Sequence, residues 1–398
     1  MCETELLTTT HKKDLQMKSI LMLVIIGLAT TQAQAIGSLN LDFRADMLSQ
    51  TYNDAAEYGI ANTAPPAVAP DLQNYRFNLS TARLDYKGTM GDAISYRARI
   101  RFATRPQGAM EVRDSANPTV DMAYATHKMS DMMKLTAGKF AIENGGFEGN
   151  TAGADLYLQS ESYAGTGAVL GSTGGVGFKG YSNQFYQTGA KVALTFDTHE
   201  VALMASNLDL NAGRSGTSAT TNATAGSSTQ NKSMLGLVYK GSMMDKTLSL
   251  IASYHAQTVR EDVKNDWVAA GVQWNSNPVM AQLDYSVANN SFITGTTTFK
   301  DQLSSIVGKV VYSVDENLGV GVKVVASEEK LDAATAVKNK YMSYGLQAEY
   351  KPVAADMYRY HVALNSREMT PDTNLAFNDK RSLQEIIVGM RINGDFLK

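Results

Sequence analysis

The chain has 398 residues, a formal net charge of −3, 44% hydrophobic residues and a mean hydropathy of −0.21. That balance excludes a global basic footprint for nucleic acid and a bundle of membrane-spanning helices. Scarce proline (8 residues) and frequent tyrosine (19 residues) favour strands over helices.

Met17-Lys18 precedes an apolar run, Ile20 to Leu28, and Ala33-Gln34-Ala35 has the form of a small-residue cleavage site. This is the pattern of a secretory signal peptide. The run is too short to span a bilayer, which takes about 20 residues. Residues 1–35 are therefore expected to be an N-terminal extension plus signal peptide, cut after Ala35, with Met1 or Met17 as the start. Residues 36–398 form the mature domain. Its loss of Cys2 leaves no cysteine, so neither disulfides nor a cysteine nucleophile is expected.

From Ile36 onward, short runs alternate apolar and polar residues. The first is Leu39, Leu41, Phe43, Ala45 and Met47, with Asn40, Asp42, Arg44 and Asp46 between them. Successive strand side chains point to opposite faces, so each run has one greasy and one polar side. The second run changes phase. Tyr75, Phe77 and Leu79 are apolar in its first half, and Ala82, Leu84 and Tyr86 in its second. A β-bulge near Ser80–Ala82 reconciles the halves and places Arg83 and Lys87 on the polar face. The third run, ISYRARIRF, sets Ile94, Tyr96, Ile100 and Phe102 against Arg97, Arg99 and Arg101.

About sixteen such runs of roughly ten residues follow one another to the C-terminus. Short links (Lys87–Asp92, Ser130-Asp131, Asp197-Thr198, Gly241–Lys246, Asn275–Pro278, Asp315–Asn317, Lys351–Asp356) alternate mostly with longer ones such as Leu48–Asn74, Ile142–Gln184, Ala288–Lys300 and Ser327–Lys340. The outward position before six of the seven short links is aromatic: Tyr86, Phe196, Tyr239, Trp274, Tyr312 and Tyr350. Met129 is the exception. In lipid every backbone donor must be paired, so a spanning sheet must close on itself. Strands of about ten residues, short turns at one end and an aromatic belt there describe a transmembrane antiparallel β-barrel of about 16 strands. The belt marks the periplasmic side, and the barrel belongs in the outer membrane of a Gram-negative bacterium.

ARLDYKGTMGDAISYRARIRF and VDMAYATHKMSDMMKLTAGKFAIENGGFEG resemble the general porins and the phosphate-selective porins. There a strand ending in Gly-Lys-Phe runs into a third loop that folds into the barrel, as Gly138-Lys139-Phe140 would run into Glu143–Glu148. The resemblance implies a water-filled channel for passive diffusion of ions and small hydrophilic solutes, an inward-folded third loop and a homotrimer. The chain departs from it in ending Gly394-Asp395-Phe396-Leu397-Lys398, with Phe396 third from the end.

In such a channel Arg44, Arg83, Arg97, Arg99, Arg101 and Lys134 form a basic wall. Glu143, Glu148, Asp155 and Glu161 of the third loop form the acidic side of a constriction, with a transverse field between them. The alternatives are an anion- or phosphate-selective channel, since arginine forks bind phosphate, and a surface adhesin or receptor barrel using the loop Asn211–Ser233. The histidines His127, His199, His255 and His361 accompany no Gly-x-Ser-x-Gly and no metal-ligand spacing, so neither an enzyme nor a cofactor is expected. The partners expected are outer-membrane lipid, ions and small polar solutes, with no nucleic acid.

Overall fold

The structure, a computed structural model, describes residues 37–53, 72–102, 118–166, 177–178, 185–207, 214–215, 233–260, 263–294, 297–332, 337–352, 357–371 and 380–397. The expected signal peptide lies outside these residues.

Sixteen strands form one closed antiparallel barrel. They are β1 (Gly37–Tyr52), β2 (Leu72–Met90), β3 (Ile94–Arg101), β4 (Thr119–Lys128), β5 (Met133–Ala141), β6 (Tyr186–Phe196), β7 (His199–Asn207) and β8 (Ser233–Met243). The second half comprises β9 (Leu248–Arg260), β10 (Val263–Ser276), β11 (Val279–Thr294), β12 (Thr297–Ser313), β13 (Leu318–Leu331), β14 (Val337–Tyr350), β15 (Tyr358–Thr370) and β16 (Arg381–Leu397). Each strand pairs with the next, and β16 closes on β1, with Phe43 opposite Ile392. A two-residue ladder, Gly177–Phe178 against Arg214–Ser215, ties two of the longer links together.

The two faces of the wall are inverted relative to a water-soluble sandwich. On β13 the valines Val320, Val322 and Val324 are exposed, while Lys323, Ser327 and Glu329 are buried. On β14 Tyr344 and Leu346 are exposed, while Asn339 and Ser343 are buried. Polar inside and apolar outside is the alternation that a lipid-facing barrel requires.

The phase change in β2 is resolved as expected. Arg44 lies opposite Thr81 and Ala45 opposite Leu79, so Ser80 is the extra residue of a bulge. Tyr75 and Phe77 thereby stay outward, as do Ala82 and Leu84. A second bulge adds Asp121 to β4, between the partners of Arg99 and Ile100. This one has no signature in the alternation, because Asp121 and Met122 are both buried.

Two of the links expected to be long are mostly strand. β11 and β12 stay paired up to Thr294–Thr297, and β13 and β14 up to Leu331–Val337. Sixteen residues of β11, at about 3.3 Å each and tilted about 45°, stand about 37 Å tall, above an apolar band of about 25 Å. Above the band the outward face turns polar (Asn289, Ser291, Glu328, Lys330). The hydrophobic alternation disappears there while the backbone ladder continues.

Candidate functional site

The basic wall is built by β2 and β3. Asp85 of β2 accepts from Arg97 (Nε 2.8 Å, Nη2 2.5 Å) and from Arg99 (Nη2 2.7 Å). Asp121 of β4 accepts from Arg101 at 2.5 Å and lies 3.6 Å from Arg83. Four guanidinium groups thus share these two carboxylates, with Arg83 also 3.7 Å from Asp42. The side chains of Arg97, Arg99 and Arg101 are 24%, 17% and 26% exposed, so each keeps an open edge. The ladder arises because the strand period of two puts three arginines of ISYRARIRF on one side.

Arg44 and Lys134 stand apart from this wall. Arg44 is buried, pairs with Asp46 at 3.0 Å, donates to the Ala154 carbonyl at 2.8 Å and lies over the Tyr157 ring at 4.6 Å. Lys134 shares the inward side of β5 with Thr136 and Phe140, but it lies opposite Lys128 near the short turn. That places it at the mouth of the barrel.

Residues 142–166 follow β5. They contain two one-turn helices, α1 (Phe147–Asn150) and α2 (Glu161–Ala164), joined through a 3₁₀ turn at Gly153–Asp155. Wall side chains serve the backbone of this irregular segment. The Asp284 carboxylate accepts from Phe147 N at 2.9 Å and Glu148 N at 2.8 Å, capping α1. His255 Nε2 lies 3.1 Å from the Ile142 carbonyl, Asn365 donates to the Tyr157 carbonyl at 2.9 Å, and Arg367 donates to the Gln159 carbonyl at 2.9 Å. Backbone groups that no helix or ladder can pair are satisfied in this way. Two wall glycines make room: a Cβ on Gly271 would stand 2.9 Å from the Phe147 ring, and one on Gly345 would stand 3.1 Å from Leu158.

All four expected acids of the segment are held by wall cations or hydroxyls. Glu143 pairs with Lys191 at 3.2 Å and Lys240 at 3.1 Å. Glu148 pairs with Lys323 at 2.5 Å and accepts from Ser160 N at 2.9 Å. Asp155 pairs with both Arg359 and Arg391. Glu161 accepts from Ser327 at 2.7 Å and lies 4.0 Å from Arg367. Burial pushes the Glu161 carboxyl up. Burial also opposes the charge on Glu148, Asp155 and Glu143, but their cation partners hold all three below the usual carboxylate range. The open acidic face expected opposite the arginines is therefore not how these groups are arranged. Glu148 and Glu161 are buried, and the side chains of Glu143 and Asp155 are 20% and 32% exposed.

The sequence reading missed the cations that hold them: Lys191, Lys240, Lys323, Arg359, Arg367 and Arg391. Each is the polar member of an alternating run, such as Lys323 between Val322 and Val324, and that position was the available signal. Of the six aromatic residues, Phe196, Trp274, Tyr312 and Tyr350 lie within two residues of a strand end, and Tyr86 and Tyr239 lie four residues inside theirs. Phe196, Trp274, Tyr312 and Tyr350 are exposed. The Tyr86 hydroxyl is 3.3 Å from that of Tyr96, and the Tyr239 hydroxyl is 2.9 Å from His199 Nδ1. Tyr358 and Tyr360, just after the last short turn, extend the row.

Residues 66–318 match the family described as phosphate-selective porin O and P. No curated protein matches the chain in sequence. Among solved structures, the fold is similar to an anion-selective porin from Comamonas acidovorans, with a TM-score of 0.60 at 11% identity over 91% of this chain and 100% of that one. It is also similar to the outer membrane channel DcaP of Acinetobacter baumannii, with a TM-score of 0.57 at 13% identity over 90% and 98%. A third similar structure is the trimer form of OmpT, an outer membrane protein of Vibrio cholerae, with a TM-score of 0.57 at 12% identity over 90% and 99%. With a closed sixteen-strand barrel, an apolar outer face and a family match over more than half its length, the chain belongs to the phosphate-selective porin O and P family and is an outer-membrane porin.

Proposed function

We propose that the channel passes small hydrophilic solutes with a preference for anions, and that the arginine ladder of β2 and β3 sets that preference. The observation that carries this reading is local: Arg83, Arg97, Arg99 and Arg101 share Asp85 and Asp121, the last three keep open edges, and the acids of residues 142–166 are held by cations of their own. A surplus of fixed positive charge raises the local concentration of anions in a water-filled pore. In this reading residues 142–166 fold into the lumen and narrow it opposite the ladder, three copies of the chain assemble, and the barrel conducts without catalysing a reaction. The guanidinium forks also suit a phosphate oxygen pair, which supports phosphate as one of the anions carried.

The test is the zero-current potential of the protein in a planar bilayer across a potassium chloride gradient. A potential of the sign set by chloride is expected, and a potential set by potassium would overturn the assignment. Adding phosphate on one side should reduce the chloride conductance if phosphate occupies the same ladder.

A further inference from the structure

The arginine ladder continues into a strip of aromatic rings. The Arg101 guanidinium carbon lies over the Tyr186 ring, 5.8 Å from its centre. The Phe185 ring follows at 5.7 Å from that of Tyr186, and the Tyr163 ring of α2 lies 6.3 Å beyond it. Three rings thus lead from the last rung of the ladder to residues 142–166. The far end of the strip is fixed. Tyr163 is buried with Leu156, Trp267 and Leu303, Phe185 packs against that cluster, and the Phe185 carbonyl accepts from Ile142 N at 3.0 Å. The near end is open, because Tyr186 is only half-buried.

The two halves of this surface offer different chemistry. Arg99 and Arg101 hold Asp85 and Asp121 through Nε and Nη2, and Nη1 of each makes no hydrogen bond among the described residues. Two such donors on alternate residues of one strand face suit a carboxylate. The rings are tilted by 54° and 57° to their neighbours, so they present both edges and faces. Another aromatic ring matches that surface through its own quadrupole, and a guanidinium beside a ring face holds both in place. A small inorganic anion uses the arginines alone, since it has no apolar surface to lay against the strip. A carboxylate carried on an aromatic ring uses both halves at once.

We propose that the ladder and the strip together form a subsite for aromatic monocarboxylates, with the carboxylate on Arg99 and Arg101 and the ring against Tyr186 and Phe185. This names an organic substrate class for the anion-preferring channel and rests on that reading.

The test uses the full protein in planar bilayers carrying a potassium chloride current at neutral pH, with benzoate, cyclohexanecarboxylate and acetate as blockers. All three carry one negative charge. The saturated ring is the more lipophilic of the two, so a preference for benzoate reports the aromatic strip and not bulk hydrophobicity. Benzoate should half-block the current at a concentration about fivefold lower than cyclohexanecarboxylate, and acetate should be the weakest blocker. Tyr186→Leu keeps an apolar side chain and should erase the difference between the two ring acids. Tyr186→Phe keeps the ring and should preserve it. Neither variant alters charge, so both should give the zero-current potential of the wild type, which shows the barrel and the ladder intact. Equal block of the wild type by the two ring acids, an unchanged difference in Tyr186→Leu, or its loss in Tyr186→Phe would overturn the proposal. The anion reading is judged separately: a zero-current potential set by potassium removes it, whereas a potential set by chloride with equal block removes the aromatic subsite alone.

Discussion

Asp85 with Arg97 and Arg99 is a unit whose charge can be changed in steps. Two guanidinium groups against one carboxylate leave one surplus positive charge at the pore surface. Replacing both arginines with serine leaves one negative charge, because Asp85 then faces the water that fills their place. A unit charge at 4 Å in water is worth about 1 kcal/mol, and at the 5–7 Å of a passing ion roughly 0.6–0.8 kcal/mol, or about threefold in local ion concentration. Going from one surplus positive to one surplus negative charge reverses that factor for anions and cations alike, so local anion concentration should fall about tenfold and the anion-to-cation permeability ratio about a hundredfold. A second variant, Arg97→Ser/Arg99→Ser/Asp85→Asn, leaves no charge and should fall between the wild type and the first. The assay is the zero-current potential at low salt, where screening is weakest, repeated at 1 M, where a Debye length of about 3 Å should compress the series. If the three proteins give the same potential, or the charge-free variant lies outside the other two, the ladder does not set selectivity.

Other consequences are equally direct. Lys323→Met leaves Glu148 buried without its cation, which should cost about 3–5 kcal/mol locally. It should appear as noisier, larger single-channel currents and a lower heat-modification temperature on gels; unaltered currents would mean that residues 142–166 are not held there. Asp284→Ala removes the acceptor of two backbone donors of α1 and should destabilise the segment by about 1–2 kcal/mol, seen as faster proteolysis after residue 142 in intact barrels. Glu143, Glu148 and Asp155 titrate below the ordinary carboxylate value, so their ion pairs stabilise the segment above that value and are lost only as pH falls through the lowered ones. These three ion pairs should therefore hold from neutral pH down to about 4 and give way below it, seen as a change in conductance there. A change above the ordinary carboxylate value would belong to Glu161, which burial pushes up.

The barrel was legible because lipid imposes one rule on every strand, and that rule has a period of two. Even the Ser80 bulge could be read, since Phe77 and Leu84 cannot both face lipid without an extra residue between them. The Asp121 bulge could not, because Asp121 and Met122 both turn away from lipid and leave no break in the apolar series. The extended β11–β12 and β13–β14 hairpins were hidden for a related reason: hydrogen bonding sustains them where hydrophobicity no longer marks them. At the site, the arginine ladder followed from one strand of sequence. The partners of Glu148 and Asp155 did not, because Lys323, Arg359 and Arg391 lie 175 or more residues away, and nothing local says which polar wall position a loop carboxylate will meet.

The pairing of residues 142–166 with the wall has a consequence for anyone who would engineer the pore. Glu143, Glu148, Asp155 and Glu161 act as built-in counterions for Lys191, Lys240, Lys323, Arg359, Arg367 and Arg391. On the proposed reading, excising the segment would enlarge the bore and leave Lys191, Lys240 and Lys323 without their carboxylates in the same cut, while Arg359, Arg367 and Arg391 would keep Glu349, Glu385 and Asp42 of the wall. Bore and charge are therefore a single coupled variable in this barrel. A wider pore that keeps the present ion preference needs compensating acids grafted onto β6, β8 and β13, the strands of Lys191, Lys240 and Lys323.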